Sequence, residues 1–106
     1  MQGARILTDL NRYRRDIEEI DQRIVELIDK RIGITKMIFE VKRREGRPIR
    51  DPEQEGRVLS RAVDLATEKN LDAGAIKGIY EILIQMSTKK QQELQDENQS
   101  RASERA

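Results

Sequence analysis

The sequence predicts an all-α protein of three helices, one very long and two shorter, intertwined with a second copy into a helical-bundle homodimer. Three observations carry this expectation. Apolar residues recur on a 4-3-4-3 spacing over the first 41 positions, and no Pro precedes Pro48. Two aspartates, Asp51 and Asp72, stand where further helices would begin. Only 36% of the 106 residues are apolar and 39% are charged, with one Phe, two Tyr and no Trp. A core of ordinary aromatic content cannot be built from that composition, whereas helices sharing one apolar stripe with a partner can. Ile and Leu recur at regular spacings through residue 94, which argues against disorder over most of the chain.

The first element is the most legible. Ile6, Leu10, Tyr13, Ile17, Ile20, Ile24, Leu27, Arg31, Ile34, Ile38 and Val41 form a heptad seam whose span holds a lone Gly33. It reads as one helix of about 40 residues, roughly 60 Å long. Such a helix overhangs any core that a monomer of this size could form, so most of its seam needs a second copy to cover it.

Gly46 closes that helix, and Arg47-Pro48-Ile49-Arg50 is a short extended connection. Asp51 is a good N-cap, with Pro52 at the first helical position, Glu53 in the first turn and Gln54 three residues after the cap. The second helix is expected to run to about residue 69 with Val58, Leu59, Ala62, Leu65 and Ala66 inward. Asn70-Leu71 forms a tight link and Asp72 caps the third helix, which turns Ile76, Ile79, Tyr80, Leu83, Met86 and Leu94 inward. Residues 1–94 are therefore expected to be the working domain. Residues 95–106 lack an apolar stripe and are expected to be a frayed or disordered polar tail.

Charge and composition narrow the function. Twenty-one basic residues face twenty acidic ones, which argues against a nucleic-acid or membrane binder. The run Lys42-Arg43-Arg44 with Arg47 has no interleaved aromatics and reads better as cations favourably placed at a helix C-terminus. With no Cys and no His, thiol chemistry and the commonest general base and metal ligand are gone, and no metal site is expected. No stretch has the length and apolarity of a signal peptide or membrane span, so a cytoplasmic protein is expected.

Polar residues on apolar faces are the informative exceptions. Arg31 sits in the seam itself, and a buried guanidinium must find an anion or water. Lys42 lies eleven residues on, on nearly the same face and about 16 Å away along the axis. Glu55 falls on the inward stripe of the second helix, and Ser87 and Gln91, an i,i+4 pair, on that of the third. Each has an ordinary explanation. Arg31 could snorkel or set register, Glu55 could pair with a cation of the first helix, Ser87 could bond its own backbone, and Gln91 could mark where the helix meets water. Five together point instead to a preformed pocket for a polar anionic ligand.

Over residues 5–94 the chain resembles the all-α class of chorismate mutases. The resemblance lies in a spaced series: Arg14 within Arg-Arg-Asp-Ile-Glu-Glu-Ile-Asp, then Arg31, Lys42, Arg47-Pro48-Ile49-Arg50-Asp51-Pro52, Glu55, Ser87 and Gln91. It implies a cofactor-free rearrangement of chorismate to prephenate, on the route to phenylalanine and tyrosine. It further implies that Arg14 of one protomer and Arg31 of the other hold the substrate carboxylates. Lys42 would bond a carboxylate and the ether oxygen, to which Gln91 would also donate. Glu55 and the backbone near Asp51 would take the ring hydroxyl, Ser87 would add a carboxylate contact, and Ile38 would form an apolar wall. The sequence departs from the family at Gln54, where many members carry Arg.

The reaction suits these residue types. No proton moves and no covalent intermediate forms; the site must select the compact diaxial conformer and meet charge building on the ether oxygen. Arginine binds carboxylates in a bidentate fork. Geometry along one helix also favours a divided site. Arg14 and Arg31 lie about 25 Å apart and point to different sides, so one chain cannot easily close both on a small molecule. Antiparallel crossing of two long helices, with a two-fold axis near residue 25, would bring Arg14 of the partner between Arg31 and Lys42 and give two sites per dimer. An isochorismate pyruvate lyase on the same scaffold and a non-enzymatic helical dimerisation module are the alternatives.

Overall fold

A computed structural model describes the backbone of residues 2–105 and the side chains of residues 8–104; Ile6, at the head of the seam, lies outside the described side chains. Three helices make up the fold: α1 (Gln2–Glu45), α2 (Pro52–Glu68) and α3 (Ala73–Arg105). There is no strand among the described residues, and the all-α expectation holds.

The chain divides into two compact units, residues 1–31 and 32–106. The first unit is helix alone. Its described seam residues Leu10, Tyr13, Ile17, Ile20, Ile24 and Leu27 are all 41–61% exposed. Nothing within that unit covers them, as expected of an isolated helix whose apolar face has no second layer.

In the second unit the helix ends form as their sequences dictate. Gly46 takes a positive φ of 68°, and Arg47 N–H reaches the Lys42 carbonyl (2.8 Å) while Gly46 N–H reaches that of Arg43 (3.3 Å). This pair of bonds is a Schellman cap, which needs the left-handed residue that glycine supplies without strain. Asn70 plays the same part after α2, at φ 55°, with Leu71 N–H on the Ala66 carbonyl at 2.9 Å. The caps at the other ends are also as expected. Asp51 Oδ1 accepts from Gln54 N–H and Asp72 Oδ1 from Ala75 N–H, each at 3.1 Å.

α2 packs on α3, with Ala62 and Ala66 buried; small side chains let two helices approach closely. Val58, Leu59, Ile76, Tyr80, Leu83 and Leu94 are half-buried. Leu65, Ile79 and Met86, which the pattern turns inward, are exposed. The unit offers them no facing layer.

The C-terminal part of α1 departs from the expected stripe. Thr35 and Phe39 are buried, whereas the seam residues Ile34, Ile38 and Val41 are exposed. One residue turns the helix by about 100°, so 35 and 39 lie on a stripe beside the seam. This segment therefore carries two stripes, one packed within its own unit and one left open. Residues 95–105, read above as a tail, continue α3 as far as Arg105. Gln, Glu, Ala and Arg are good helix formers, so loss of the apolar stripe does not itself break the helix.

Candidate active site

The second unit holds six of the eight singled-out residues. Lys42 is half-buried, and its Nζ donates to the Ile49 carbonyl of the connection. The ammonium is thereby tied down by a backbone acceptor. Lys42 and Ile38, one helical turn apart, line a common cavity of about 290 Å³ with Val41 and Arg47. Lys42 also lines a second cavity of about 530 Å³, formed with Phe39, Pro48, Ile49 and, from α3, Gln95 and Asn98. The neighbouring cations are engaged nearby: Arg43 with Glu40 and Arg47 with Glu45, each at 2.9 Å.

Asp51 spends its side chain on capping α2, which fixes the backbone around it. One turn on, the Glu55 carboxylate is held by Arg50: Nη2 donates to Oε1 at 2.9 Å, and Nε and Nη2 approach Oε2 at 3.3 Å. The cation thus comes from the connection, and not from the first helix. Bonding and attraction from Glu55 hold the Arg50 guanidinium above its usual range. Arg50, Glu55 and Leu59 line a third cavity, of about 610 Å³, with Ile84, Gln85 and Thr88 of α3. Gln54 is occupied elsewhere, accepting from Arg57 at 3.1 Å.

On α3, Thr35 Oγ1 donates to Ser87 Oγ at 3.2 Å, linking α1 to α3 through two hydroxyls. Gln91, one turn further on, is only 6% exposed. Its Oε1 is buried without a hydrogen-bond partner among the described residues. A buried acceptor left unpaired is costly, so such groups are ordinarily completed by a water, a ligand or another chain. Gln91 does not mark where the helix meets water, since α3 runs on past it and the side chain is covered.

Arg14 and Arg31 belong to the first unit, Arg14 exposed and Arg31 half-buried. Among the described residues no group of three His, Cys, Asp or Glu side chains could hold a metal ion, and no helix is long and apolar enough to cross a membrane.

Thr35 was missed by the sequence reading. Its signal was present: it stands four residues after Arg31 and seven before Lys42, on the face those cations share, but the heptad pattern selects Ile34 instead. Lys42 and Ile38 border one cavity and Glu55 another, while Ser87 and Gln91 lie on α3 one turn apart. Charges and dipoles of these kinds can bind a polar molecule and stabilise charge without relaying protons.

Comparison with known proteins gives a consistent picture. The family model described as chorismate mutase type II matches residues 13–92. The chain is 33% identical over 96 residues to a chorismate mutase of Methanocaldococcus jannaschii, covering 91% of this chain and 97% of that protein. It is 34% identical over 86 residues to a bifunctional chorismate mutase/prephenate dehydratase of Buchnera aphidicola subsp. Schizaphis graminum, covering 81% of this chain but 22% of the longer protein. A bifunctional chorismate mutase/prephenate dehydratase of Buchnera aphidicola subsp. Acyrthosiphon pisum is 29% identical over 82 residues, covering 77% of this chain and 21% of that protein.

Proposed function

The chain belongs to the type II chorismate mutase family and is an isomerase of that kind; from this premise we propose how its residues carry out the reaction. Chorismate binds as the diaxial conformer and passes to prephenate in one concerted step, within a homodimer whose sites are divided between chains. Arg14 of one protomer and Arg31 of the other hold the two carboxylates, and Ser87 adds a contact to one of them. Lys42 and Gln91 donate to the ether oxygen as its bond to carbon breaks. Glu55 and the backbone beside Asp51 take the ring hydroxyl, and Ile38 closes the apolar side. Residues 1–94 form the catalytic domain, α3 extends from it beyond Leu94, and the enzyme works in the cytoplasm.

The observation that carries this reading is Gln91: a carboxamide inside the unit, 6% exposed, whose Oε1 makes no hydrogen bond among the described residues, so the amide is not anchored through that oxygen and can turn its Nε2 donor to an incoming acceptor. An apolar residue would pack better at that place if nothing had to be bound there. As a neutral amide it keeps its donor at any pH near neutrality, where a carboxylic acid would lose it. The exposed seam Leu10–Leu27 supports the homodimer, because a row of large apolar residues on a single helix calls for a second helix against it.

The direct test is incubation of the purified chain with chorismate and, separately, with isochorismate. Prephenate from chorismate is the expected product; pyruvate from isochorismate alone would replace the reading by a lyase on the same scaffold. Arg31→Leu distinguishes a further alternative. If the chain were a dimerisation module, the substitution would stabilise the dimer and change nothing else; a catalytic clamp predicts loss of activity by several orders of magnitude with the fold retained.

A further inference from the structure

Glu55 reaches its position with a partner that its helix does not supply. It is in the first turn of α2, its side chain only 22% exposed, and it borders the cavity formed with Leu59, Ile84 and Thr88. A carboxylate there is useful for binding a hydroxyl only if its oxygens are held in one orientation. Two things hold it. Its backbone N–H donates to the Asp51 carbonyl at 2.9 Å, which fixes the first turn. Its carboxylate is gripped by Arg50, whose Nε and Nη2 span both oxygens.

That grip has a particular geometry. Arg50 lies in the connection, immediately before the cap residue Asp51, and lines the cavity beside Glu55. The guanidinium remains largely in water while the carboxylate is mostly covered. The cation therefore pays little desolvation cost, and each carboxylate oxygen keeps lone-pair capacity beyond the bonds to Arg50. A planar fork restrains both oxygens at once, which a lysine's single point charge cannot do. The residue adjacent to Glu55, Gln54, is neutral and bonded to Arg57, so it brings no charge to the carboxylate.

We infer that Arg50 is a positioning residue: it presents the Glu55 carboxylate to the cavity and thereby sets the affinity for a substrate with a hydroxyl at that point. The inference rests on the functional reading above. Arg50 also lines this cavity; its effect runs through Glu55, which the Glu55→Gln background separates from any direct contact. A hydroxyl bond of this kind is made in the bound ground state and kept in the transition state, so its loss falls on KM and only weakly on kcat.

A double-mutant cycle tests this on the full-length chain, with prephenate formation followed for the wild type, Arg50→Met, Arg50→Lys, Glu55→Gln and Arg50→Met/Glu55→Gln. The expected result is a rise of about tenfold in KM for Arg50→Met, the size of one charge-assisted hydrogen bond, with kcat within about threefold. Arg50→Lys recovers part of the loss. In the Glu55→Gln background the Arg50→Met change adds less than about twofold. An unaltered KM in Arg50→Met, or an equal loss with and without Glu55, would overturn the inference while leaving the catalytic reading intact. A wild-type chain that forms no prephenate would instead remove the functional reading on which it rests. Arg50 is two-thirds exposed, so unchanged helicity of Arg50→Met is expected, and Arg50→Lys reports the same coupling should that variant misfold.

Discussion

The two halves of α1 carry one seam and meet different circumstances. Up to Arg31, the described seam residues stand open, and no side chain of residues 10–27 is even half-buried. From Ile32 onward the same helix buries Thr35 and Phe39 on a neighbouring stripe, ties Lys42 to the connection and reaches Ser87 of α3, while the seam residues Ile34, Ile38 and Val41 stay exposed. The lesson is that the heptad pattern reports where an apolar face is needed, and not which molecule supplies the other side. In the second half two faces are in use, and only the one off the seam is satisfied by the chain itself.

The comparison breaks most severely if the open half is made polar. Ile20→Asp puts a carboxylate in the middle of the exposed seam. Its expected outcome is a monomer by light scattering and loss of all measurable prephenate formation, because a buried unpaired charge costs several kcal/mol in the dimer and almost nothing in water. A dimer of wild-type activity would mean that the seam faces solvent in the working protein.

The next largest effect probes the covered half. Gln91→Glu replaces a permanent donor by one that exists only when the carboxyl is protonated. Activity is expected to fall by about a hundredfold at pH 8 and to recover as the pH drops through the carboxyl's pKa, a slope opposite to that of any loss from acid unfolding. A flat pH–rate profile would remove Gln91 from the reaction.

Thr35→Val sharpens the contrast with the least damage. It keeps the volume of the stripe but removes the hydroxyl that donates to Ser87. The expected cost is about 1 kcal/mol of stability, read as a melting temperature lower by a few degrees, with a several-fold drop in kcat/KM.

Sequence and structure agree where local chemistry decides. Gly46, Asp51, Asn70 and Asp72 end and begin helices because of what their own side chains and φ angles permit. They were legible for that reason. The α1 seam was legible as a pattern, as were Lys42, Glu55, Ser87 and Gln91 as polar residues on apolar faces. Thr35 escaped because threonine on an apolar stripe is unremarkable in sequence, and its meaning comes from Ser87, fifty-two residues away. Arg50 as the partner of Glu55 escaped for a similar reason: the pairing depends on how a four-residue connection turns into a capped helix. The exposure of Leu65, Ile79 and Met86 could not be read from periodicity, which gives the face of a helix and not its cover.

Subunit mixing tests the division of each site between two chains most directly. Arg14→Ala and Arg31→Ala homodimers are each expected to be inactive, every site lacking one guanidinium. Refolded together, they form heterodimers in which one site carries both lesions and the other carries neither, so prephenate formation should return in proportion to the heterodimer present. Heterodimers verified by mass and still without activity would contradict the account.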